Sequence, residues 1–570
     1  MIRPPARTLQ EALLAAASAT PLRSVILLGS DLQPRPLGHD ELLALARQSA
    51  AALLDAGMRP GDRLFLVLPT GPDFLAAFFG SLLAGIVPCP FSPPQGSQSP
   101  ALFLERLAQL TRTLGIRGVV ASPELLDPAG QELEGVLALT PDRLRAPLQG
   151  SGPDLAELAP APDDVAFLQL TSGSTSLPKG VMVTHRAVLE NLWQIAHASE
   201  MSAGDVMVSW LPLFHDMGLV AGLLLPLAYG LELCLSTPFA FLRRPAHWLH
   251  AIHRYRGTHS PAPVFAYRQL ADRATDRDLA GIDLGSWRVA FIGAEPVHAD
   301  VLERCDRRFG PHGLAATALV PCYGMAEATL AVTVKPMGER YRLRPVSRSL
   351  LARESRIAAP AATGGGGDEL VLVSSGRPVQ GMRVAILGED GAELPSGRLG
   401  EIAIQGPSLF SGYAGLSDPD PEEIARGYRT GDLGFLEGGE LFITGRRKEL
   451  IILSGENHHP AEIEWAAAGN TAGAGNNGRA PRIAAFGIED AALGTEKLCI
   501  LAELDRRSET EEETPAAAIR RRVREQTGLV VSHVELVSPG TIPVTTSGKV
   551  RRARAKEIFL EMQSAARAGG

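Results

Sequence analysis

A short segment rich in hydroxyl side chains and glycine, with one lysine, has the composition of a phosphate-binding loop: TSGSTSLPKG (171–180). Hydroxyl and backbone N–H groups donate to phosphate oxygens, glycines let the backbone approach closely, and the lysine adds positive charge. A β-strand is expected before this loop and a helix after it. We predict that it binds phosphate groups through the following residues: Thr171, Ser172, Gly173, Ser174, Thr175 and Lys179.

This segment is not a Walker A loop. In that motif a glycine directly precedes the lysine, whereas here Pro178 precedes Lys179 and Gly180 follows it. The alternative is a serine-rich surface loop without a ligand.

The loop resembles the phosphate loop of the adenylate-forming superfamily, which includes acyl-CoA synthetases, nonribosomal peptide adenylation domains, luciferases and fatty acyl-AMP ligases. The resemblance implies an enzyme that uses ATP and Mg²⁺ to adenylate a carboxylic acid. Further segments resemble the family's other motifs, in the family's order: WLPLFHDMG (210–218), GAEPV (293–297), CYGMAEATL (322–330), GYRTGDLG (427–434), GRRKELIILSGENHHPAEIE (445–464) and PVTTSGKVRR (543–552).

Glu327 follows a predicted strand end and a glycine turn, where a carboxylate can hold Mg²⁺ that bridges ATP phosphates. A structural ion pair is the alternative. The resemblance assigns Glu327 to the metal and places Tyr323, Gly324 and Met325 along the nucleotide. Most relatives have threonine before the glutamate, and Ala326 matches the fatty acyl-AMP ligase branch instead.

Asp432 is an acceptor-only side chain that can pair with two ribose hydroxyls, although an isolated Asp-Leu-Gly is more often a simple turn. The resemblance makes Arg446 a second ribose contact. It also places the GAEPV segment beside the adenine, through Gly293, Ala294 and Glu295.

Lys549 lies in a Thr-Thr-Ser-Gly-Lys turn. By composition alone it would be a solubilising charge, but its context resembles the motif of the family's catalytic lysine. An ammonium at the reacting carboxylate and α-phosphate offsets the charge that develops there. By the same resemblance Lys448 is the hinge between two domains; a solvated lysine is the alternative.

His215 stands beside an apolar run, where a histidine is usually a core or turn residue. The family's equivalent lies beside the acyl site and gates it, so we assign His215 to the substrate site as a catalytic residue. The apolar stretch Leu219–Leu227 suits an acyl chain, whose burial stabilises by ~0.8 kcal/mol per CH₂.

Segment 334–373 is longer than a simple connection requires. Acyl-AMP ligases carry an insertion at this position that contacts the N-terminal domain and hampers the use of CoA. YGMAEATLAV and NHHPAEIE also resemble that branch. We therefore expect segment 334–373, called the insertion segment below, to act in the same way.

The scaffold that positions these residues is predicted to be α/β. Helical patterns at Asp40–Ala56 and Asp73–Gly85 alternate with the apolar runs 63–69 and 86–91, which predicts a largely parallel sheet. We expect a large N-terminal adenylation domain of mixed or parallel sheets with helices, and a small mobile α+β C-terminal domain that carries the lysine. Their bounds are 1–445, including a β-rich subdomain at 376–445, and 446–570. Three glycine-rich or charged segments are predicted loops: 361–370, 469–480 and 507–515.

Composition excludes several classes of protein. The 570 residues carry 55 Lys and Arg against 63 Asp and Glu, a net charge of −8 that argues against nucleic acid as the main partner. A 45% apolar fraction excludes disorder over most of the chain. The run Leu219–Leu235 is interrupted by Gly222, Pro226, Gly230 and Glu232, which favours a buried strand or helix pair over a membrane span. Five cysteines without a CxxC pair suit a reducing cytoplasm.

The resemblance thus predicts a ligase that converts a fatty or similar apolar acid and ATP to acyl-AMP and pyrophosphate. The acyl group would then pass to the phosphopantetheine thiol of an acyl carrier protein. We expect a separate carrier chain, because no carrier domain with a serine attachment motif follows residue 552. The alternatives are an acyl- or aryl-CoA synthetase and a catalytically silent acyl or nucleotide sensor. The sensor is disfavoured because Lys179, Glu327, Asp432 and Lys549 are all present.

Overall fold

The structure is a computed structural model of the whole chain. The residues that it describes are 6–19, 24–29, 33–94, 100–127, 133–146, 158–171, 178–354, 357–360, 368–415, 427–453, 456–469, 482–490, 495–503, 514–545 and 549–568.

Helices occur along the whole described chain. A π-helical segment lies at Met217–Leu224, and short 3-10 turns lie at Gly310–His312, Ala326–Ala328 and Arg447–Glu449. The α-helices are α1 (Leu9–Ala19), α2 (His39–Asp55), α3 (Pro72–Leu83), α4 (Pro100–Leu114), α5 (Pro123–Leu126), α6 (Pro141–Leu144), α7 (His185–Ala198), α8 (Leu225–Ala228), α9 (Pro238–Arg243), α10 (Ala246–Tyr255), α11 (Val264–Arg273), α12 (Asp276–Leu279), α13 (Ala299–Phe309), α14 (Arg348–Glu354), α15 (Pro460–Ala468), α16 (Pro515–Thr527) and α17 (Arg552–Ala568).

Strands form several sheets between and around these helices. They are β1 (Ser24–Leu28), β2 (Pro34–Gly38), β3 (Arg63–Val67), β4 (Val87–Pro90), β5 (Ile116–Ala121), β6 (Leu137–Leu139), β7 (Val165–Leu170), β8 (Gly180–Thr184), β9 (Val206–Ser209), β10 (Glu232–Leu235), β11 (His259–Pro263), β12 (Val289–Gly293), β13 (Leu319–Gly324), β14 (Ala331–Val334), β15 (Leu343–Ser347), β16 (Glu369–Val373), β17 (Arg377–Pro378), β18 (Arg383–Leu387), β19 (Gly400–Gln405), β20 (Gly412–Ala414), β21 (Tyr428–Glu437), β22 (Glu440–Arg446), β23 (Ile451–Leu453), β24 (Glu456–His458), β25 (Ile483–Asp490), β26 (Thr495–Glu503) and β27 (His533–Val537).

The largest sheet has nine strands in the order β17-β14-β13-β12-β11-β9-β10-β1-β2. The strands from β13 to β1 in this order are parallel, whereas β2, β14 and β17 pair antiparallel at the edges. This confirms the α/β fold class and the largely parallel sheet. Because parallel strands end at the same edge, β12 and β13 bring Gly293 and Gly324 to one end of the sheet.

Two further sheets belong to the N-terminal region, and one of them includes β20 from later in the chain. Strands β4-β3-β5-β6 form a parallel sheet, and β20-β8-β7 form an antiparallel one. Helix α3 begins with Pro72, whose fixed φ suits the first helical turn. Its residues from Phe74 to Leu83 are all buried, so this helix lies within the main hydrophobic core.

The predicted helices and strands at 40–91 are confirmed within two residues at each end. Two predictions need correction. GVMVT forms β8, so a second strand separates the phosphate loop from α7, where Thr184 caps the helix by accepting from the Ala187 N–H. The run Leu219–Leu235 is neither a strand pair nor a helix pair, because the π-helical segment and α8 are followed by β10.

Residues 376–445 contain the antiparallel sheet β18-β19-β21-β22, and the bounds of a β-rich subdomain there stay a prediction. Within the insertion segment, β15 pairs with β16, and α14 lies between them in sequence. Val346, Leu351 and Leu372 of this segment pack on Phe435 and Phe442. The predicted loops at 361–370, 469–480 and 507–515 lie largely outside the described residues.

The C-terminal region, residues 446–570, has its own packing. Strands β25-β26-β27 form one sheet and β23-β24 another. Two hydrophobic clusters, one beneath α15 and α16 and one beneath α17, consist only of residues between 451 and 562 in the described chain. These separate clusters fit a distinct C-terminal domain; its boundary at 445/446 stays a prediction.

The five cysteines are free thiols, four of them buried: Cys89, Cys234, Cys305 and Cys499. Cys322 is half-buried, and burial raises the pKa of its thiol to about 12. None of the helices in the described ranges combines the length and the apolar character needed to traverse a bilayer.

Candidate active site

Three residues that are predicted to bind the nucleotide meet at the carboxyl end of β13, where Tyr323 lies. The Tyr323 hydroxyl donates to Oδ2 of Asp432 (2.6 Å), and Arg446 Nε donates to Oδ1 of the same carboxylate (2.7 Å). Asp432 and Arg446 are paired across β21 and β22, which fixes their separation. Burial and the neighbouring Asp432 raise the pKa of Tyr323 well above its usual value, so its hydroxyl stays a donor. Each carboxylate oxygen retains a second lone pair that can accept from a ribose hydroxyl.

The turn after β13 is tight and depends on glycine. A Cβ at Gly324 would lie 1.8 Å from the carbonyl oxygen of Leu330, which no side chain tolerates. Met325 follows in extended conformation, and Glu327 lies in the 3-10 turn. Only 8% of Glu327 is exposed, and burial raises the pKa of its carboxyl.

Glu327 is held by a tyrosine pair. The Tyr413 hydroxyl donates to Oε1 of Glu327 (2.8 Å) and lies 2.9 Å from the Tyr428 hydroxyl. The ammonium of Lys179 lies 4.5 Å from the centroid of the Tyr413 ring, a cation–π distance. Tyr413 therefore joins the predicted metal carboxylate to the predicted phosphate lysine.

The phosphate loop is the connection of the β7-β8 hairpin. The Thr171 N–H donates to the Lys179 carbonyl (2.9 Å), which holds the two ends of the loop together. Because β20 pairs with β8, Tyr413 lies opposite Val181, two residues beyond Lys179. Ser172, Gly173, Ser174 and Thr175 lie outside the described residues.

The GAEPV segment leaves β12 through a left-handed residue, Ala294, whose φ is +63°. Glu295 Oε2 accepts from the Phe265 N–H (3.2 Å). Burial raises the pKa of Glu295, and the positive charge of Lys549 opposes that rise. Lys549 thus acts electrostatically on the predicted adenine segment, although 254 positions separate the two residues in the sequence.

Lys549 itself ends a small hairpin loop. Its backbone N–H donates to the Thr545 hydroxyl (3.1 Å), and the Thr545 N–H donates to the Lys549 carbonyl (2.7 Å). Lys549 is half-buried, whereas the predicted hinge residue Lys448 is exposed in the turn after β22.

His215 lies at the start of the apolar helical segment. Its carbonyl accepts from the Leu219 N–H (2.8 Å), and its ring lies 4.9 Å from the ring of Phe214. Gln169 of β7 donates to the Phe214 carbonyl (2.9 Å), which connects this segment to the phosphate hairpin. Burial raises the pKa of Glu327, and the negative charge of Asp216 adds to that rise.

Sequence reasoning missed Tyr413 and Tyr428. Each follows a glycine, and the Gly-Tyr dipeptides at 412–413 and 427–428 were the available signal. It also missed Trp465 of α15, whose ring stacks on that of His298 at a centroid distance of 4.1 Å.

The sequence matches a family model described as AMP-binding enzyme over residues 15–414. The chain belongs to this family. As an AMP-binding enzyme it is a ligase of the ATP-using, adenylate-forming type, in the fatty acyl-AMP ligase branch, which confirms the resemblance.

Two similar proteins, one with a known sequence and one with a solved structure, match almost the whole chain. The medium-chain-fatty-acid–[acyl-carrier-protein] ligase JamA of Moorena producens (strain JHB) is 34% identical over 548 residues, which cover 92% of this chain and 90% of JamA. A structure from work on fatty acyl-adenylate ligases from E. coli and L. pneumophila is 32% identical, with a TM-score of 0.90; the match covers 99% of this chain and 100% of that one.

A third comparison concerns the alternative activity. A Caulobacter vibrioides relative, provisionally named an acyl-CoA synthetase, is 33% identical over 573 residues and covers 97% of this chain and 95% of its own.

Proposed function

We propose that this enzyme adenylates a fatty or similar apolar carboxylic acid and transfers the acyl group to the phosphopantetheine thiol of an acyl carrier protein. The observation that supports it most is the Tyr323–Asp432–Arg446 hydrogen-bond network, which holds a carboxylate and a guanidinium together at the site predicted for the ribose. The positive charge of Lys549 opposes the rise that burial causes in the pKa of Glu295, which fits a lysine that offsets charge in an adenylation reaction.

In the first step a carboxylate oxygen of the acid bonds to the α-phosphorus of ATP. The bond between the α-phosphorus and the oxygen that bridges the α- and β-phosphates breaks, and pyrophosphate leaves with the electron pair of that bond. Lys549 offsets negative charge on the reacting carboxylate and α-phosphate. Lys179 holds the phosphates, and Asp432 and Arg446 hold the ribose.

The carboxylates present fit a hard divalent cation. Burial raises the pKa of Glu327 and the negative charge of Asp216 adds to that rise, an arrangement that a cation would relieve. No cluster of three or more His, Cys, Asp or Glu ligands occurs among the described residues, which suits Mg²⁺ held mainly by phosphates and water. Glu327 would hold the ion, which would neutralise phosphate charge when bound.

The acyl chain is proposed to lie along the apolar segment that begins at His215. The π-helical residues Met217–Leu224 are all buried, as are Leu225 and Leu227 of α8. An alkyl chain is favoured there because each buried CH₂ contributes ~0.8 kcal/mol.

The second step is attack of a thiol on the acyl-AMP carbonyl, with AMP leaving and the thiol proton released. We propose that the C-terminal domain turns about Lys448 for this step. Among the described residues, the insertion segment contacts that domain through two ion pairs: Arg348 with Glu462, and Arg353 with Glu456 (2.6 Å). These contacts would oppose the rotation. A carrier protein can offset that cost by binding the turned domain through its own surface, which CoA lacks, and the name of the relative JamA supports a carrier protein as acceptor.

The test has two stages. Pyrophosphate release is measured with ATP, Mg²⁺ and fatty acids of increasing length, and the adenylate is identified by mass spectrometry. CoA and a holo-acyl carrier protein are then compared as acceptors. Acyl-AMP with preferred transfer to the carrier is expected; equal turnover with CoA would favour the acyl-CoA synthetase, and no pyrophosphate release would contradict adenylation.

A further inference from the structure

Trp465 of α15, in the C-terminal region, packs against the main core of the N-terminal region. Its indole stacks nearly parallel on His298, with the ring planes 11° apart. The guanidinium of Arg268, from α11, lies 4.5 Å from the centroid of the Trp465 ring. Both partners belong to the N-terminal region, so the indole contacts two of its elements at once.

The two faces of α15 have different partners. Glu462 and Trp465 are three residues apart, hence on one face, and both contact the N-terminal region: Glu462 pairs with Arg348. Glu464 instead binds Arg552 inside the C-terminal region, with both carboxylate oxygens engaged at 2.8 and 2.7 Å. Arg552 also donates to Glu449 (2.5 Å), beside the predicted hinge.

Arg552 follows Lys549 by three positions in the sequence. Glu464 is next to Trp465 on α15 and forms an ion pair with Arg552, which is close in sequence to Lys549. The position of the Trp465 ring is therefore connected to the loop that carries Lys549 through one helix and one ion pair. In the N-terminal region His298, on which the indole stacks, follows Glu295 by three positions. The positive charge of Lys549 opposes the rise that burial causes in the pKa of Glu295, so the indole and the charge of Lys549 act on one short stretch of chain.

We propose that Trp465 is a positioning residue for adenylate formation: its stacking between the two regions fixes the orientation in which Lys549 reaches the nucleotide site. The inference rests on the proposed function, because it assumes that Lys549 acts in the first step. Trp465 touches no reacting atom in this account. Its effect is confined to the first step, since thiol transfer uses another orientation of the C-terminal domain.

The experiment separates the two half-reactions in Trp465→Ala, Trp465→Phe and wild type. Pyrophosphate release with ATP and a fatty acid reports the first step. Acylation of a holo-acyl carrier protein from chemically prepared acyl-AMP reports the second. The matched control is Trp193→Ala, because Trp193 also stacks on a histidine, His197 (5.6 Å), but within α7.

Trp465→Ala is expected to lower kcat for pyrophosphate release about tenfold or more, with KM for ATP changed less than about threefold. Acylation from supplied acyl-AMP stays within about twofold of wild type, and Trp465→Phe restores most of the first-step rate because it keeps a ring. Trp193→Ala behaves as wild type in both assays.

Normal pyrophosphate release by Trp465→Ala overturns the inference and leaves the proposed function standing. An equal loss in both half-reactions that Trp465→Phe does not restore also overturns it, since that is the behaviour of a purely structural residue. Wild-type protein that releases no pyrophosphate overturns the proposed function, and this inference with it.

Discussion

The Tyr413 hydroxyl donates a 2.8 Å hydrogen bond to Glu327, while the Tyr413 ring lies 4.5 Å from the ammonium of Lys179. A single side chain thus holds the proposed metal carboxylate and faces the proposed phosphate lysine, which come from distant parts of the chain. Such pre-arranged contacts reduce the reorganisation needed when substrate binds. The hydroxyl can be removed alone or together with the ring, and comparing the two variants separates the contribution of each.

Tyr413→Phe keeps the ring and removes the hydrogen bond to Glu327. We expect the Mg²⁺ concentration for half-maximal pyrophosphate release to rise by about tenfold, because residues that orient a metal ligand typically affect affinity to this extent. KM for ATP should change little. Tyr413→Leu also removes the ring and should raise KM for ATP in addition. An unchanged Mg²⁺ dependence in Tyr413→Phe would contradict this role.

Glu327→Gln removes an anionic ligand and keeps the shape of the side chain. The Mg²⁺ requirement should rise and the rate fall, since Mg²⁺ prefers carboxylate oxygen. Binding of Mn²⁺ in the presence of ATP, followed by electron paramagnetic resonance, gives a reading independent of turnover. Circular dichroism provides the control: activity lost together with the folded signal would show that Glu327 is structural.

Lys549→Ala should abolish adenylate formation and leave ATP binding within a few-fold of wild type. Loss of a transition-state contact worth ~3 kcal/mol slows catalysis by about 10²-fold or more. Pyrophosphate release and calorimetric ATP binding are the two measurements. Near wild-type pyrophosphate release would reject the assignment of Lys549.

Replacing Arg348 and Arg353 by alanine removes both ion pairs between the insertion segment and the C-terminal region. Acyl-CoA output should rise several-fold, because a change of ~1.4 kcal/mol in the free-energy difference between the two orientations of the C-terminal domain shifts their population ratio tenfold. Arg342→Ala is the matched control, since it removes a 2.9 Å ion pair with Glu437 that does not reach the C-terminal region. Equal CoA use in the double variant and the control would count against the restraint.

Lys335 is not among the residues of the proposed active site, so its replacement tests what stabilises the fold. It is 2% exposed, and its ammonium donates to the carbonyls of Thr317 (3.1 Å), Pro336 (2.9 Å) and Glu339. Lys335→Ala leaves these acceptors without their donor and should destabilise the protein by ~2–3 kcal/mol. Differential scanning fluorimetry should show a lower unfolding midpoint for Lys335→Ala. The control variant Arg59→Ala, at an exposed position, should leave the midpoint unchanged.

Periodic patterns were sufficient to predict the parallel sheet and the helices around it, because α2 and α3 carry continuous apolar faces. The resemblance to the family's motifs placed Tyr323, Asp432 and Arg446 along the nucleotide, and the structure brings these three side chains together. Strand β8 was missed because its apolar residues directly precede α7, with no turn residue between them. The π-helical segment was missed because Met217–Leu224 contains only apolar residues and glycine, which give no alternation of polar and apolar positions from which to choose a conformation.

The contacts of Tyr413 and Trp465 could not be predicted for a different reason. Each side chain meets partners more than 80 positions away in the sequence, and no local pattern encodes such a pairing. Only the assembled sheets bring Tyr413 to Glu327, and only the docking of α15 brings Trp465 to His298.

The burial of the cysteines has a consequence for the reaction itself. An acyl-adenylate is an electrophile that thiolates attack readily, and Cys322 directly precedes Tyr323. Its pKa of about 12 keeps it protonated at neutral pH, and its Sγ donates to the Ile292 carbonyl (3.5 Å). The activated acyl group is thereby protected from capture by the enzyme's own sulfur. For the same reason two cysteines introduced at exposed positions, one in each region, would take up donor and acceptor maleimide dyes selectively, and energy transfer between the dyes could follow movement of the C-terminal region in the otherwise native protein.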